Sequence, residues 1–124
     1  MINIETNNNI PTVCDLNYLS GLMGGKEHLI KKIMDTFLIQ VKEELVSIND
    51  AILKKDYTII KSLAHTMKSS VSIMGISTLI PILQEMEDLG KNTTAFERII
   101  VLNKQLNIIC KQAFEEIKGY SFSS

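Results

Sequence analysis

One of the chain's two histidines lies in the segment LAHTMKSSVSIMG, residues 63–75, with a lysine and three serines. A free imidazole is partly neutral near pH 7, so His65 could act as a nucleophile. Lys68 follows one helical turn later, where its ammonium group could stabilise an anion bound at His65, such as a phosphoryl group. The segment therefore predicts a histidine nucleophile with a cationic neighbour.

The helical phase of this segment places His65 on a polar face. At about 100° per residue, six polar residues fall within about 60° of His65 and the apolar residues fall on the opposite side. The polar set is Thr58, Lys61, Ser62, Lys68, Ser69 and Ser72, and the apolar set is Ile60, Leu63, Met67, Val71 and Met74. Short serine side chains leave the imidazole accessible to another protein. Phase alone, however, also fits an ordinary surface histidine among tolerated serines.

The elements that must position His65 are amphipathic helices. Apolar residues recur every three or four positions along most of the chain, and no segment alternates with the two-residue period of a strand. Asp15 is expected to cap a short helix that reaches about Leu22 and stops at MGG. A long helix is then expected from Lys26 to Lys54 or Lys55.

Three further helices complete the predicted order. Asp56 is expected to cap a helix that runs to Met74, with Gly75 as a left-handed residue beyond its end. The next helix closes at Gly90 and should start later than residue 77, because Pro81 is tolerated only in a first turn. The motif TAFE, residues 94–97, fits a capping box for a final helix that reaches residue 117.

These elements predict an all-α fold, an antiparallel up-and-down four-helix bundle with a short additional N-terminal helix. The chain has 124 residues, enough for one domain with a single core. We divide it into a flexible N-terminal lead (1–13), the helical bundle (14–118) and a C-terminal tail (119–124).

The composition argues against several classes of protein. The formal net charge is −1, which provides no broad basic surface for nucleic acid or an anionic membrane. The N-terminus lacks the pattern of a signal peptide, and no apolar run has the length of a membrane span. Cys14 and Cys110 are isolated thiols without metal-ligand spacing, so a reduced, cytoplasmic protein is expected.

Other residues offer weaker candidate sites. His28 lies in the first turn of the long helix and lacks a comparable polar pattern, so we interpret it as structural or solvent-facing. The two histidines and two cysteines are scattered, and no metal site is expected. No phosphate-binding loop or kinase motif is present. The segment QEMEDLG, residues 84–90, is most simply a solvated helix edge, although its acidic and amide side chains could face the histidine.

The residues around His65 resemble the histidine-containing phosphotransfer (HPt) domain of multistep two-component phosphorelays. That family's motif is approximately His-x-Leu-Lys-Gly-Ser-Ser/Ala-x-x-x-Gly. The chain has His65, Met67 at the leucine position, Lys68, Ser70 for the first serine, and Gly75 ten residues after the histidine. The segments DLNYLSGLMGGKEHLIKKIMDTF and LIPILQEMEDLGK are also similar to family helices, so the resemblance covers about residues 13–118.

The chain departs from the family motif at Ser69, where the family usually has glycine. Serine is small, so docking of a partner should survive, with a possible change in partner choice. Thr66 follows the histidine, where self-phosphorylating histidine kinases typically have an acidic residue. The resemblance is therefore to a phosphotransfer domain rather than to a kinase phosphoacceptor helix.

The resemblance implies a phosphorelay intermediate. His65 would accept a phosphoryl group, by expectation on Nε2, from the phosphoaspartate of a receiver domain and pass it to the aspartate of another receiver. Lys68 would stabilise the phosphoryl charge, and Lys61, Ser62, Ser69 and Ser72 would form the receiver-docking face. The receiver would supply the divalent metal, so this chain needs no cofactor and no ATP-dependent kinase activity. The first, second and third helices are expected to contribute to docking.

A second hypothesis about the function belongs to a different class. The chain could be a non-phosphorylated helical-bundle module that binds receiver domains or other signalling proteins. The pairing of His65 with Lys68 favours the carrier, since a scaffold has no need of that pair. We expect a monomer, because a carrier must leave the His65 face open and no second contiguous apolar stripe is evident in the sequence.

Overall fold

The chain folds into five helices over the residues that the structure describes. A computed structural model describes residues 12–91 and 95–120, and this part of the chain is helical without any strand. The helices are α1 (Leu16–Leu22), α2 (Glu27–Leu53), α3 (Tyr57–Ile73), α4 (Leu79–Leu89) and α5 (Phe96–Lys118). The predicted all-α class is confirmed.

Helices α2 to α5 form the four-helix bundle that the short connections predict. Helix α3 packs between α2 and α4, and α5 packs against α4 and α2, which closes the ring. The connection between α2 and α3 is only residues 54–56, so these two helices must run antiparallel. The short α1 lies outside this ring and contacts α2.

The core is built from the apolar face of every helix. Leu19, Ile48, Met67, Met86 and Leu106, one from each helix in chain order, are fully buried. Burial of an apolar side chain of this size contributes about 1.5–3 kcal/mol relative to exposure. Because the apolar face of α3 is committed to this core, its polar face must point outward.

The helix boundaries follow the local signals in the sequence. Asp15 Oδ1 accepts a hydrogen bond of 3.0 Å from the Tyr18 amide, and Asp56 Oδ1 accepts one of 3.2 Å from the Ile59 amide. Both predicted N-caps are therefore confirmed. Gly75 follows the end of α3 with φ +67°, the left-handed conformation expected there. Its amide donates a hydrogen bond of 3.1 Å to the carbonyl of Ser72.

The later boundaries add two findings. Helix α4 begins at Leu79, so Pro81 lies in its first turn and the late start is confirmed. Gly90 closes α4 with φ −62°, an ordinary right-handed value, so the backbone conformation there does not require a glycine. The predicted capping box before α5 depends on Thr94, which lies outside the described residues.

The chain before α1 is held by the end of α5. The Glu116 carboxylate accepts hydrogen bonds from the backbone amides of Val13, at 2.8 and 3.1 Å, and Cys14, at 3.0 Å. At the other side, the Asp15 amide donates to the Met74 carbonyl at 3.1 Å. Helix α1 is thus anchored to both α5 and α3 where it begins. The predicted lead (1–13) and tail (119–124) fall largely outside the described residues, and that division stays a prediction.

Candidate functional site

The candidate site lies where α3 and α4 pack side by side. Their close approach requires Gly90, since a Cβ there would lie 2.8 Å from Lys61 Cβ and 3.1 Å from Lys61 Cα. The antiparallel pairing then places residues of α4 beside the polar face of α3, 16 to 22 residues further along the chain. The site is therefore assembled by helix packing rather than by one segment.

His65 projects from α3 with a defined ring orientation. Its side chain is 69% exposed, and its Nδ1 lies 3.0 Å from Oε1 of Glu87 on α4. A carboxylate oxygen can only accept, so Nδ1 carries the hydrogen and donates it to Glu87. In the neutral imidazole this leaves the lone pair on Nε2, the ring nitrogen that is free to attack a ligand.

Lys68 is held beside the histidine by two residues of α4. Its Nζ lies 2.7 Å from Glu87 Oε1, the same oxygen that accepts from His65. Nζ also donates to Gln84 Oε1 at 2.7 Å. The Lys68 side chain is only 21% exposed, so its position is restricted. The ammonium group is thus kept one turn from His65, as the sequence predicts, but already paired.

Glu87 is the centre of this polar cluster. Its side chain is 13% exposed, and its carboxylate faces both cationic partners. The hydrogen bond from Lys68 is the largest cause that holds the pKa of Glu87 below its usual value of 4.5, and the hydrogen bond from His65 acts in the same direction. Partial desolvation opposes this shift without reversing it. The carboxyl group is therefore ionised at neutral pH.

The sequence pointed only in general terms to the α4 side of the site. Gln84, Glu87 and Asp88 occupy one face of α4, and Gln84 Nε2 donates to Asp88 Oδ1 at 3.1 Å. Their spacing of three and four residues places them on one side of α4, next to the face that buries Leu83 and Met86, and is the signal that could have selected them. Which residue of α4 contacts His65 depends on the register between α3 and α4.

The predicted docking residues surround the histidine on the outer face of α3. Lys61, Ser62, Ser69 and Ser72 are all exposed. Thr66 Oγ1 donates to the Ser62 carbonyl at 3.0 Å, so its hydroxyl is turned back to its own helix. The imidazole itself stays largely exposed among them. Gly75, at the end of the same helix, has the structural role described above.

The remaining candidate residues lie apart from this cluster. His28 is exposed in the first turn of α2. Cys14 and Cys110 are free and buried, and burial raises the pKa of both thiols, that of Cys110 to about 12. A thiol with a raised pKa is a poor nucleophile at neutral pH. Within residues 12–91 and 95–120, no group of three or more potential ligands is placed to hold a metal ion.

This fold and this site define a class of protein: a helical bundle that presents one oriented, accessible imidazole beside a lysine. Comparison with protein-family models identifies the class by family. The model of the Hpt domain matches residues 32–116, which is more than half of the chain. The chain therefore belongs to the Hpt domain family and is an intermediate of histidine phosphotransfer.

A solved structure agrees with this assignment at the level of the fold. The chain is similar to histidine-containing phosphotransfer protein B (HptB) from Pseudomonas aeruginosa PAO1, with a TM-score of 0.77 and 24% sequence identity. The match covers 86% of this chain and 91% of that chain. Comparison with curated proteins gives no match. Among the described helices, none combines the length and the apolar character needed to cross a membrane.

Proposed function

We propose that His65 is the phosphoacceptor of this intermediate and that its Nε2 carries the phosphoryl group between two receiver domains. The observation that carries this assignment is the hydrogen bond from His65 Nδ1 to Glu87 Oε1, 3.0 Å long. It fixes the tautomer that keeps a lone pair on Nε2, while the ring stays 69% exposed. A large partner can therefore bring a phosphoryl group to that nitrogen.

The transfer step places charge where the cluster can accommodate it. Nε2 attacks the phosphorus of the receiver's phosphoaspartate, the N–P bond forms, the P–O bond to aspartate breaks, and the aspartate leaves as a carboxylate. Nδ1 keeps its hydrogen throughout, so the ring becomes positively charged. The ionised Glu87 offsets that charge through its existing hydrogen bond, as a carboxylate does for the imidazole of a hydrolase triad.

In this scheme, Lys68 stabilises the negative charge of the phosphoryl group. Its ammonium group is positioned by Glu87 and Gln84 at 2.7 Å each. A phosphoryl group on Nε2 adds an anionic partner on the same side of α3, and a charge-assisted hydrogen bond to its oxygens stabilises it. The reverse reaction, attack by a second aspartate on phosphohistidine, uses the same contacts.

The partner is proposed to dock on the exposed face around His65. Lys61, Ser62, Ser69 and Ser72 form this docking face, and their small or flexible side chains permit close contact. Ser69 replaces the usual glycine of the motif without adding much volume. The divalent metal for the transfer belongs to the receiver domain. We further propose that the chain acts as a cytoplasmic monomer whose bundle is residues 14–118.

The assignment is tested by labelling with a phosphorylated receiver. ATP alone should leave the chain unlabelled, whereas a phosphorylated receiver with its metal should label it. His65→Gln retains size and polarity but removes the nucleophilic nitrogen, so labelling should be lost. His28→Gln is the matched control, because it removes the other histidine and should be labelled like the wild type. The product should be labile in acid and comparatively stable in base, as expected of a phosphoramidate and not of a serine ester.

Two results would contradict the carrier. One is labelling of His65→Gln at the wild-type level with unchanged helical content by circular dichroism. The other is a wild-type chain that no receiver from its own cell labels although receivers bind it. The second result would favour the alternative, a helical module that binds receivers without being phosphorylated.

A further inference from the structure

The charge around His65 changes when the histidine is phosphorylated. In the free chain the ionised Glu87 and the ammonium group of Lys68 compensate each other at 2.7 Å, and a neutral His65 adds no charge. A phosphoryl group on Nε2 brings about two negative charges, while the ring that keeps its Nδ1 hydrogen gains one positive charge. The metal that is proposed to come with the receiver also leaves with it. The free phosphorylated chain therefore carries about one uncompensated negative charge at this site.

Lys68 alone does not compensate this charge. Its Nζ donates to Gln84 Oε1 and pairs with Glu87 Oε1, each at 2.7 Å, and its side chain is only 21% exposed. A complete move of Nζ to the phosphoryl group would leave the carboxylate of Glu87, which is 13% exposed, without this cationic partner. Lys68 therefore covers the α4 side of the phosphoryl group, and a second cation is needed for the remaining charge.

Lys61 is the residue placed to be that cation. It lies one helical turn before His65 on the same exposed face of α3, and the Cβ atoms of such a pair are about 5–6 Å apart. Side chains on a helix lean towards its N-terminus, so the imidazole leans over the turn that contains Lys61. Helix α3 has no acidic residue of its own that would compete for this lysine.

The ammonium group of Lys61 is available for a new partner. Within residues 12–91 and 95–120, no hydrogen bond or ion pair engages it. The base of the side chain is held, because Gly90 packs so closely that a Cβ there would lie 2.8 Å from Lys61 Cβ. The flexible aliphatic stem beyond Cβ can then carry the charge towards His65.

We propose that the ammonium group of Lys61 contacts the phosphoryl oxygens of phosphorylated His65 and prolongs the lifetime of the phosphohistidine. This inference rests on the proposed function, in that His65 carries the phosphoryl group. In hydrolysis, water forms a new P–O bond, the N–P bond breaks, and its electron pair returns to Nε2. Because electrons leave the phosphoryl group as the N–P bond breaks, a cation at its oxygens stabilises the phosphohistidine more than the loose transition state.

The half-life of phosphohistidine on the isolated chain tests this contact. In a His28→Gln background His65 is the remaining histidine, and phosphoramidate can load it without a receiver. The bond from Nε2 to phosphorus forms, the P–N bond of the reagent breaks, and ammonia leaves. After removal of the reagent, phosphorus NMR measures the decay of the phosphohistidine.

Lys61→Gln retains most of the stem but removes the charge, so the half-life should shorten about threefold, the size expected of one exposed ion pair. Lys61→Arg should restore the wild-type half-life. Lys104→Gln, at an exposed position of α5, is the control for loss of a surface charge and should match the wild type. The difference caused by Lys61→Gln should shrink in about 1 M salt, where the Debye length is about 3 Å.

A role of Lys61 in docking alone gives a different result. Lys61→Gln would then weaken binding of the receiver and leave the half-life of the isolated phosphorylated chain unchanged, and this inference would be wrong while the proposed function stands. If phosphoramidate loads His65 and Lys61→Gln shortens the half-life, but no receiver labels the wild type, the proposed function fails and the contact of Lys61 stands.

Discussion

Glu87 is the residue that turns an exposed histidine into an oriented one. An imidazole on a solvated helix can rotate and exchange tautomers, and then either nitrogen can face a partner. The hydrogen bond from Nδ1 to Glu87 removes that ambiguity, and the same carboxylate oxygen fixes Lys68. One carboxylate thus sets the position of both residues that the sequence singles out.

The lowered pKa of Glu87 predicts a pH-dependent contribution to stability. Because its folded-state pKa lies below 4.5, the ionised cluster stabilises the fold above pH 4.5, and this contribution is lost as the pH falls through the lowered value. Glu87→Gln should reduce the free energy of unfolding at pH 7, and the difference from wild type should shrink on acidification. Urea unfolding at several pH values from 7 to 3 measures it. A difference that is constant with pH would show that the carboxylate charge is not the cause.

Removal of the Lys68 charge is expected to slow transfer without abolishing it. Lys68→Ala keeps the proposed nucleophile, His65, but removes the cation proposed to face the phosphoryl group, so transfer from a receiver should slow about tenfold to a hundredfold. Lys104→Ala, at an exposed position of α5, is the control for loss of a surface charge and should transfer normally. Rapid-quench single-turnover kinetics distinguishes the two. A loss as complete as that of His65→Gln would contradict a purely electrostatic role.

At the scale of elements, two glycines permit the helix contacts on which the site depends. Gly90 lets α4 approach α3 near Lys61, and the pairing of Glu87 with His65 requires that approach. Gly75 lets α1 start against the end of α3, where Asp15 lies directly beside it. The two positions differ physically, since Gly75 has a positive φ whereas Gly90 does not.

Substitution of Gly75 separates backbone strain from helix contact. Gly75→Ala must adopt a left-handed conformation and also place its Cβ 2.6 Å from Asp15 Cβ. Gly24→Ala is the matched control, because Gly24 has φ +61° but nothing within 4 Å of the added Cβ. The control should lose about 1–2 kcal/mol of unfolding free energy, and Gly75→Ala should lose about 3 kcal/mol or more. Chemical denaturation measures both. Equal losses of unfolding free energy would mean that α1 moves away from the added Cβ without destabilising the fold.

At the scale of the whole molecule, the structure shows an exposed apolar row that the sequence pattern did not predict. Ile39, Val46 and Leu53 are seven residues apart on α2 and are 66%, 70% and 83% exposed. They share one side of the helix, away from the core. Such a row is small, and isolated apolar side chains are common on monomeric proteins.

We expect the chain to remain monomeric despite this row. Three side chains cannot provide the roughly 800 Å² per partner of an ordinary stable interface. Sedimentation velocity at micromolar concentration should therefore give a monomer. A stable dimer that Val46→Lys converts to monomer would contradict the expectation and identify the row as its interface.

The sequence by itself determined the features that depend on neighbours along the chain. The helical period placed His65 and Lys68 on the polar face of α3, the aspartates at positions 15 and 56 marked helix starts, and Pro81 limited the start of α4. Each of these signals acts within one or two helical turns, where local geometry and side-chain chemistry decide the outcome.

Only the tertiary structure decided which residues meet across the bundle. Glu87 contacts His65 from 22 residues away, and the Asp15 amide before α1 bonds to the Met74 carbonyl at the end of α3. The period of a sequence gives the face of each helix, but not the rotation and axial offset of one helix against the next. Those are set by side-chain packing and by the close contacts that Gly75 and Gly90 permit. The orientation of the His65 imidazole is therefore decided by the packing of α4 on α3, because its hydrogen-bond partner, Glu87, lies on α4.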